Sequence, residues 1–315
     1  MGQDSKIEWT HHTFNPWIGC TKVSSACAHC YAERDFDLRY KKATWGPSGT
    51  RVLTSDANWR KPLQWNRTAE SLGVRYRVFC ASLSDVFEDW DGPIMSPGSA
   101  PVILGKDWRA SDGQYRLTMQ DVRSQVFDLI DQTTNLDWLL LTKRPENIWR
   151  MTPDKSRRVR PCLSRRDNLW LGVSVENQAC ANSRIPELLQ CADLAAMLFL
   201  SCEPVVGPID LTFVESSRFE WRDCLKGMHV GSSFQRPCPK IDWVITGGES
   251  GPDARPSSPE WFRSLRSQCE ASRTAFHFKQ WGEFDAEGNR VGKRNAGRLL
   301  DGVEHNGLPS EKESP

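Results

Sequence analysis

Six short runs rich in branched and aromatic residues, at 76–82, 137–143, 169–175, 196–202, 242–248 and 275–280, recur along the chain with helix-length segments between them. Each has the length and composition of a buried strand. Their apolar character is near-continuous rather than alternating, the pattern of parallel strands covered on both faces. Strand and helix in alternation predict an α/β fold. Residues 13–18 offer one further strand at the front, interrupted by Pro16, which cannot donate to a ladder. Six or seven such units fit a partial, TIM-like (βα)6-7 barrel of parallel strands better than a closed barrel of eight. An open, doubly wound sheet shares the same periodicity.

Polar residues follow these runs: Ser82-Leu83-Ser84-Asp85, Thr142-Lys143-Arg144-Pro145, Ser174-Val175-Glu176-Asn177, Ser201-Cys202-Glu203-Pro204, Gly247-Gly248-Glu249-Ser250 and Lys279-Gln280-Trp281-Gly282. Carboxyl ends of parallel strands share one direction, so these groups are expected to converge on one mouth, where such folds carry their sites. A helix N-cap or an ion pair is the plainer use of any one of them.

One large α/β domain over residues 1–282 is expected, with insertions at 91–118 and 213–240, whose prolines and glycines break any period, and a polar, partly disordered tail over 283–315. The amino-terminal Met1-Gly2-Gln3-Asp4-Ser5-Lys6 lacks an apolar stretch after a basic end, and Lys6 stands where a myristoylation motif needs Ser or Thr. The longest apolar run, 194–200, falls short of the roughly 20 residues that span a bilayer. The expectation is a cytoplasmic protein with no membrane partner. A net charge of +1 removes the bulk electrostatic signature of many nucleic-acid binders. A local strip of Lys143, Arg144, Arg150, Lys155, Arg157, Arg158, Arg160, Arg165 and Arg166 remains as a candidate for phosphate, or as a solvated face. Trp9, Trp17, Trp45 and Trp281 are candidates to stack bases or to pack.

Eleven cysteines, an odd number in a chain without an export signal, argue against a disulfide framework. Three of them, Cys20, Cys27 and Cys30, lie within eleven residues. Thiolates this close suit iron or zinc, and a Cys-x-x-Cys pair lets two sulfurs reach one centre from a single loop. Structural zinc wants four protein ligands, whereas a catalytic centre keeps one position open. Two readings follow: a centre with an open position, or a zinc knot completed by His29, Cys224 or Cys238 that folds a non-enzymatic nucleic-acid-binding module. Iron–sulfur colour separates them.

The frame Asn15-Pro16-Trp17-Ile18-Gly19-Cys20 followed by Cys27-Ala28-His29-Cys30-Tyr31-Ala32-Glu33 resembles the cluster loop of radical S-adenosylmethionine (SAM) enzymes, in particular their spore photoproduct lyase-like branch. LLTKRPE at 140–146, GVSVEN at 172–177, SCEP at 201–204, GGESG at 247–251 and FKQWG at 278–282 are similar to a phage-associated protein family often called the three-Cys-motif family. The likeness runs from about Lys6 to Gly282. Six residues separate Cys20 from Cys27, where the common radical SAM spacing has three.

The resemblance implies a cluster-binding loop near the amino terminus, with a [4Fe-4S] cluster on Cys20, Cys27 and Cys30 that reductively cleaves SAM to a 5′-deoxyadenosyl radical. That radical would abstract hydrogen from a substrate, taken by family analogy as a nucleic-acid base or nucleotide, with a protein or a metabolite as the alternative. A flavodoxin or ferredoxin would supply the electron. Cofactor contacts fall on His29 and Tyr31 beside the cluster, Ser82 and Asp85, Lys143 and Arg144 for a carboxylate, Glu176 and Asn177 for ribose hydroxyls, and Glu203. Gly247, Gly248 and Glu249 resemble the superfamily's glycine-glycine-glutamate element but follow a late strand rather than an early one; Arg255 and Lys279 are candidates to meet a phosphate or carboxylate there. Cys80 and Cys202 are either ligands of an additional cluster or buried thiols.

Overall fold

The computed structural model describes residues 5, 7–106, 112–153, 165–216, 220–230 and 237–310. Seven strands form one parallel sheet: β1 (His12–Thr13), β2 (Tyr76–Cys80), β3 (Leu136–Thr142), β4 (Arg166–Ser174), β5 (Ala195–Cys202), β6 (Trp243–Gly247) and β7 (Ala275–Gln280). Hydrogen-bonded neighbours follow sequence order throughout. A doubly wound sheet reverses its strand order at a switch point, and this one does not, so the arrangement is the sequential one of a partial TIM-like fold.

The expected front strand is divided. His12 and Thr13 pair with Val78 and Phe79 in the large sheet, whereas Trp17 and Ile18 pair antiparallel with Leu53 and Val52 in a separate three-stranded sheet. Pro16 lies between the two pieces and has no amide to continue either ladder.

Four of the connections carry the expected helices: α1 (Asp56–Leu72), α2 (Met119–Gln132), α3 (Gln178–Leu189) and α4 (Pro259–Ser272). Their ends follow from local chemistry. A reciprocal capping box between Thr118 and Asp121 starts α2, Asn177 caps α3 through the Cys180 amide, and Gly73 ends α1 in the left-handed conformation. The link from β3 to β4 has instead the short helix Ile148–Met151, and the link from β5 to β6 a three-stranded antiparallel sheet of Val214–Ser216, Glu220–Asp223 and Met228–Val230. Each expected insertion therefore contains β structure where it is described, including the antiparallel pair Ile103–Lys106 and Gln114–Arg116.

The chain divides into two compact units, 1–140 with 149–164, and 141–148 with 165–315. In the first, Val78, Phe79, Trp138, Leu139, Val126 and Phe127 are buried around β2, β3 and α2, and Phe14 packs edge-on against Trp59 and Trp138. In the second, Leu171, Phe199, Trp243, Phe262 and Phe278 form the buried layer about β4 to β7. There the segment after β7 returns along it: the Phe278 amide donates to the His305 carbonyl (2.9 Å), the Gly307 amide to the Phe276 carbonyl (2.9 Å), and the Trp243 indole N–H to the Gly307 carbonyl (2.8 Å). Residues 311–315 of the expected tail lie outside the described residues. Among the described residues, no helix is long and apolar enough to cross a membrane.

Candidate functional site

The cysteine loop belongs to the first unit and leaves the carboxyl end of β1. Asn15 ties it down. This side chain is fully buried; its Nδ2 donates to Ser82 Oγ (3.0 Å), and its Oδ1 accepts from the Leu83 amide (2.7 Å). The Asn15 carbonyl accepts from Thr54 Oγ1 (2.8 Å) and Asn58 Nδ2 (3.0 Å). The start of the loop is thereby fixed to the segment that follows β2.

Gly19 has φ of +117° and donates its amide to the Leu83 carbonyl (3.1 Å). A Cβ there would strike the Thr50 carbonyl oxygen, so the residue before Cys20 must be glycine on two counts. The Cys20 carbonyl accepts from the Gly46 amide (3.0 Å), and the Thr21 amide donates to Glu88 Oε1 (2.9 Å).

Cys27 ends the 3-10 turn Ser25–Cys27, and Cys30 stands at the N-cap of the one-turn helix Tyr31–Glu33. Cys30 also packs against the buried cluster of Ile18, Ala32, Ala43, Val52 and Leu83, beside Phe36, Trp45 and Met95. Cys20, Cys27 and Cys30 are all half-buried, and none is joined in a disulfide. Among the described residues, no group of three or more His, Cys, Asp or Glu side chains is drawn together as a metal-ligand set, these three included. What the loop offers is the donor chemistry, three thiols within eleven residues, on a backbone anchored at its start and near its end.

Tyr31, half exposed, donates its hydroxyl to the Ser82 carbonyl (2.8 Å), so Tyr31 and Asn15 both engage Ser82. Asp85 is buried and accepts from the Phe87 amide (3.0 Å), and His29 is half-buried on the loop. Two residues that sequence reasoning passed over, Arg51 and Glu88, form a buried ion pair beneath the loop, at 2.7 and 2.8 Å.

The second unit has its own polar groups at the carboxyl ends of β3 to β7. Lys143 Nζ donates to Ser174 Oγ (3.1 Å). Glu176 is fully buried and accepts from Arg184 NH1 (2.7 Å), which also donates to the Ser174 carbonyl (2.8 Å), and Asn177 is the cap of α3. Glu203 pairs with Lys279 at 3.1 Å. Glu249 accepts a fork from Arg255, Nε to Oε2 and NH2 to Oε1, each at 2.7 Å, and the pairing raises the Arg255 pKa. Gly247 closes β6 and accepts from the Val205 amide (3.1 Å). Gly248 is required by packing: a Cβ on it would overlap the Trp281 carbonyl oxygen.

Of the expected basic strip, Lys155, Arg157, Arg158 and Arg160 lie outside the described residues. Arg144 and Arg166 are buried, which removes both from any solvent-facing strip, while Arg150 pairs with Asp89 and Arg165 with Asp167. Trp9, Trp17 and Trp281 are buried and so serve packing, and Trp45 is half-buried against the cluster of Ile18, Ala32, Ala43, Val52 and Leu83. Cys80 and Cys202 are fully buried, and burial pushes both thiols up in pKa.

The chain belongs to the family described as protein of unknown function (DUF5131), whose model matches residues 4–91 and 110–309. The unmatched residues 92–109 fall within the first expected insertion. A search of curated proteins and a search of solved structures each gave no match.

Proposed function

We propose that this member of the family is a radical SAM enzyme whose [4Fe-4S] cluster is held by Cys20, Cys27 and Cys30. The observation that carries the reading is the position of the three thiols: one loop, at the carboxyl end of the first strand of a sequentially ordered parallel sheet. Parallel α/β folds of this order build their sites at that end of the strands.

Such a cluster would supply the electron for reductive cleavage of SAM, and so the chemistry for hydrogen abstraction from a substrate. The chain's own residues hold and orient. Cys20, Cys27 and Cys30 would hold the cluster as three protein ligands, one fewer than a closed structural zinc knot takes. Asn15, through the Ser82 hydroxyl and the Leu83 amide, fixes the loop's first residues against the segment that follows β2, and Tyr31 anchors its last turn to the Ser82 carbonyl. Within the second unit, Asn177 serves α3, and Glu176 and Glu249 serve Arg184 and Arg255. These contacts give each of the three a structural use within the second unit. A nucleic-acid base or nucleotide is the proposed substrate class, on family analogy.

Anaerobic purification with iron and sulfide quantification tests the assignment. About four irons and four sulfides per chain, with visible absorption lost in Cys20→Ala, Cys27→Ala and Cys30→Ala, is the expected result. A colourless protein retaining one zinc per chain after anaerobic reconstitution would overturn it.

A further inference from the structure

The Arg51–Glu88 pair is enclosed to a degree unusual for charges: Arg51 is fully buried and Glu88 is 2 % exposed. Thirty-seven residues apart in sequence, they meet under the cysteine loop. Such a pair contributes little net stability when replaced by apolar groups, so its presence calls for a use in specifying geometry.

Its contacts converge on one residue. Glu88 Oε1 accepts from the Thr21 amide (2.9 Å), and Arg51 NH2 donates to Thr21 Oγ1 (2.8 Å). Arg51 further donates to the Thr50 carbonyl (2.9 Å) and the Gly46 carbonyl (3.4 Å), and the Trp90 ring covers its guanidinium at 4.1 Å. Thr21 is thus gripped through both backbone and side chain. Gly46 donates in turn to the Cys20 carbonyl, and Gly19 to the Leu83 carbonyl. Three consecutive residues, with Cys20 at their centre, are held by segments distant in sequence.

The other two thiols are seated differently. Cys30 rests on the apolar cluster around Val52 and Leu83. The amides of Cys27 and Ala28 donate to the carbonyls of Ser24 and Ser25, a local turn, and among the described residues these amides have no partner distant in sequence.

We propose that Arg51 and Glu88 are positioning residues for the metal centre: they preset Cys20, so that Cys20 and Cys30 form the fixed part of the site and Cys27 is the ligand that adjusts. The inference rests on the reading that the three cysteines bind a metal centre. Outer-shell groups that orient a ligand commonly change metal affinity 10–100-fold when removed.

Cobalt(II) titration of the anaerobic, metal-free full chain, read by thiolate-to-cobalt charge-transfer absorption, tests it. The double variant Arg51→Gln/Glu88→Gln neutralises the pair without stranding a buried charge and is expected to weaken cobalt binding at least about tenfold, with the same band at saturation. Val126→Ala, a core truncation in α2, serves as the control for lost stability and is expected to leave affinity unchanged. Weakening below about tenfold in the double variant, or an equal loss in the control, overturns the positioning role and leaves the cysteine centre standing. A wild-type chain that shows no charge-transfer band, or one whose band survives Cys20→Ala, overturns the centre and the inference with it. Should the double variant fail to fold, Thr21→Val removes only the hydroxyl that Arg51 grips; about threefold weaker binding is then expected, and unchanged binding refutes the proposal.

Discussion

Replacing Asn15 by alanine removes two interactions of unequal cost. The Leu83 amide, on a residue 4 % exposed, loses its acceptor at 2.7 Å and gains no route to water, a desolvation penalty of about 1–3 kcal/mol. The bond from Nδ2 to Ser82 Oγ contributes about 1 kcal/mol more. The bonds from Thr54 and Asn58 go to the Asn15 carbonyl and survive the substitution. Asn15→Ala should therefore cost about 2–4 kcal/mol, a large share of a typical domain's stability. Ser82→Ala, which leaves the Leu83 amide satisfied, should cost about 1–2 kcal/mol. Urea unfolding of the metal-free protein, followed by tryptophan fluorescence, measures both, and stripping the metal keeps ligation out of the comparison. A loss under about 1 kcal/mol in Asn15→Ala, or equal losses in the two variants, would refute the argument that the Leu83 amide depends on this side chain.

Arg184→Met removes the guanidinium that pairs with the fully buried Glu176 and should cost about 3–5 kcal/mol in urea unfolding, most of it recovered in Arg184→Met/Glu176→Leu; a cost near zero for the single variant would contradict the buried pairing. His11 accepts from the Arg77 amide at Nδ1 (2.8 Å), and burial, with the Arg77 and His12 charges, lowers its pKa from 6.5 to about 4. The unfolded chain then binds the extra proton between those values, so stability is complete above about pH 6.5 and falls as pH drops toward 4. Thermal midpoints across that range should fall in the wild type and fall less in His11→Gln; parallel curves would count against it. Burial raises the pKa of Cys80, Cys202 and Cys224 and pushes Cys269 up to about 12, so iodoacetamide near pH 8 followed by mass spectrometry should label Cys20, Cys27 and Cys30 first and spare those four.

The parallel sheet was legible because its strands are buried on both faces and so read as unbroken apolar runs. β1 was legible only in part, since two residues on either side of Pro16 serve two different sheets. The β structure of the first insertion left no trace of that kind, because Ile103–Lys106 is exposed along its whole length and shows no burial alternation. Within the site, spacing alone singled out Cys20, Cys27 and Cys30. Arg51 and Glu88 escaped notice because a charged residue in sequence carries no mark of its burial, and their pairing depends on loops that bring together positions 37 residues apart. Glu176, Asn177 and Glu249 drew attention as polar groups at strand ends, yet their partners, Arg184, the Cys180 amide and Arg255, become evident only once α3 and the turn after β6 are in place.

The radical reading is tested most directly by 5′-deoxyadenosine. The anaerobically reconstituted full chain, given SAM and dithionite, should release it, and Cys27→Ala prepared in parallel should not. A wild-type protein with a full complement of iron and sulfide that releases none, or a Cys27→Ala variant that releases as much, would contradict the account.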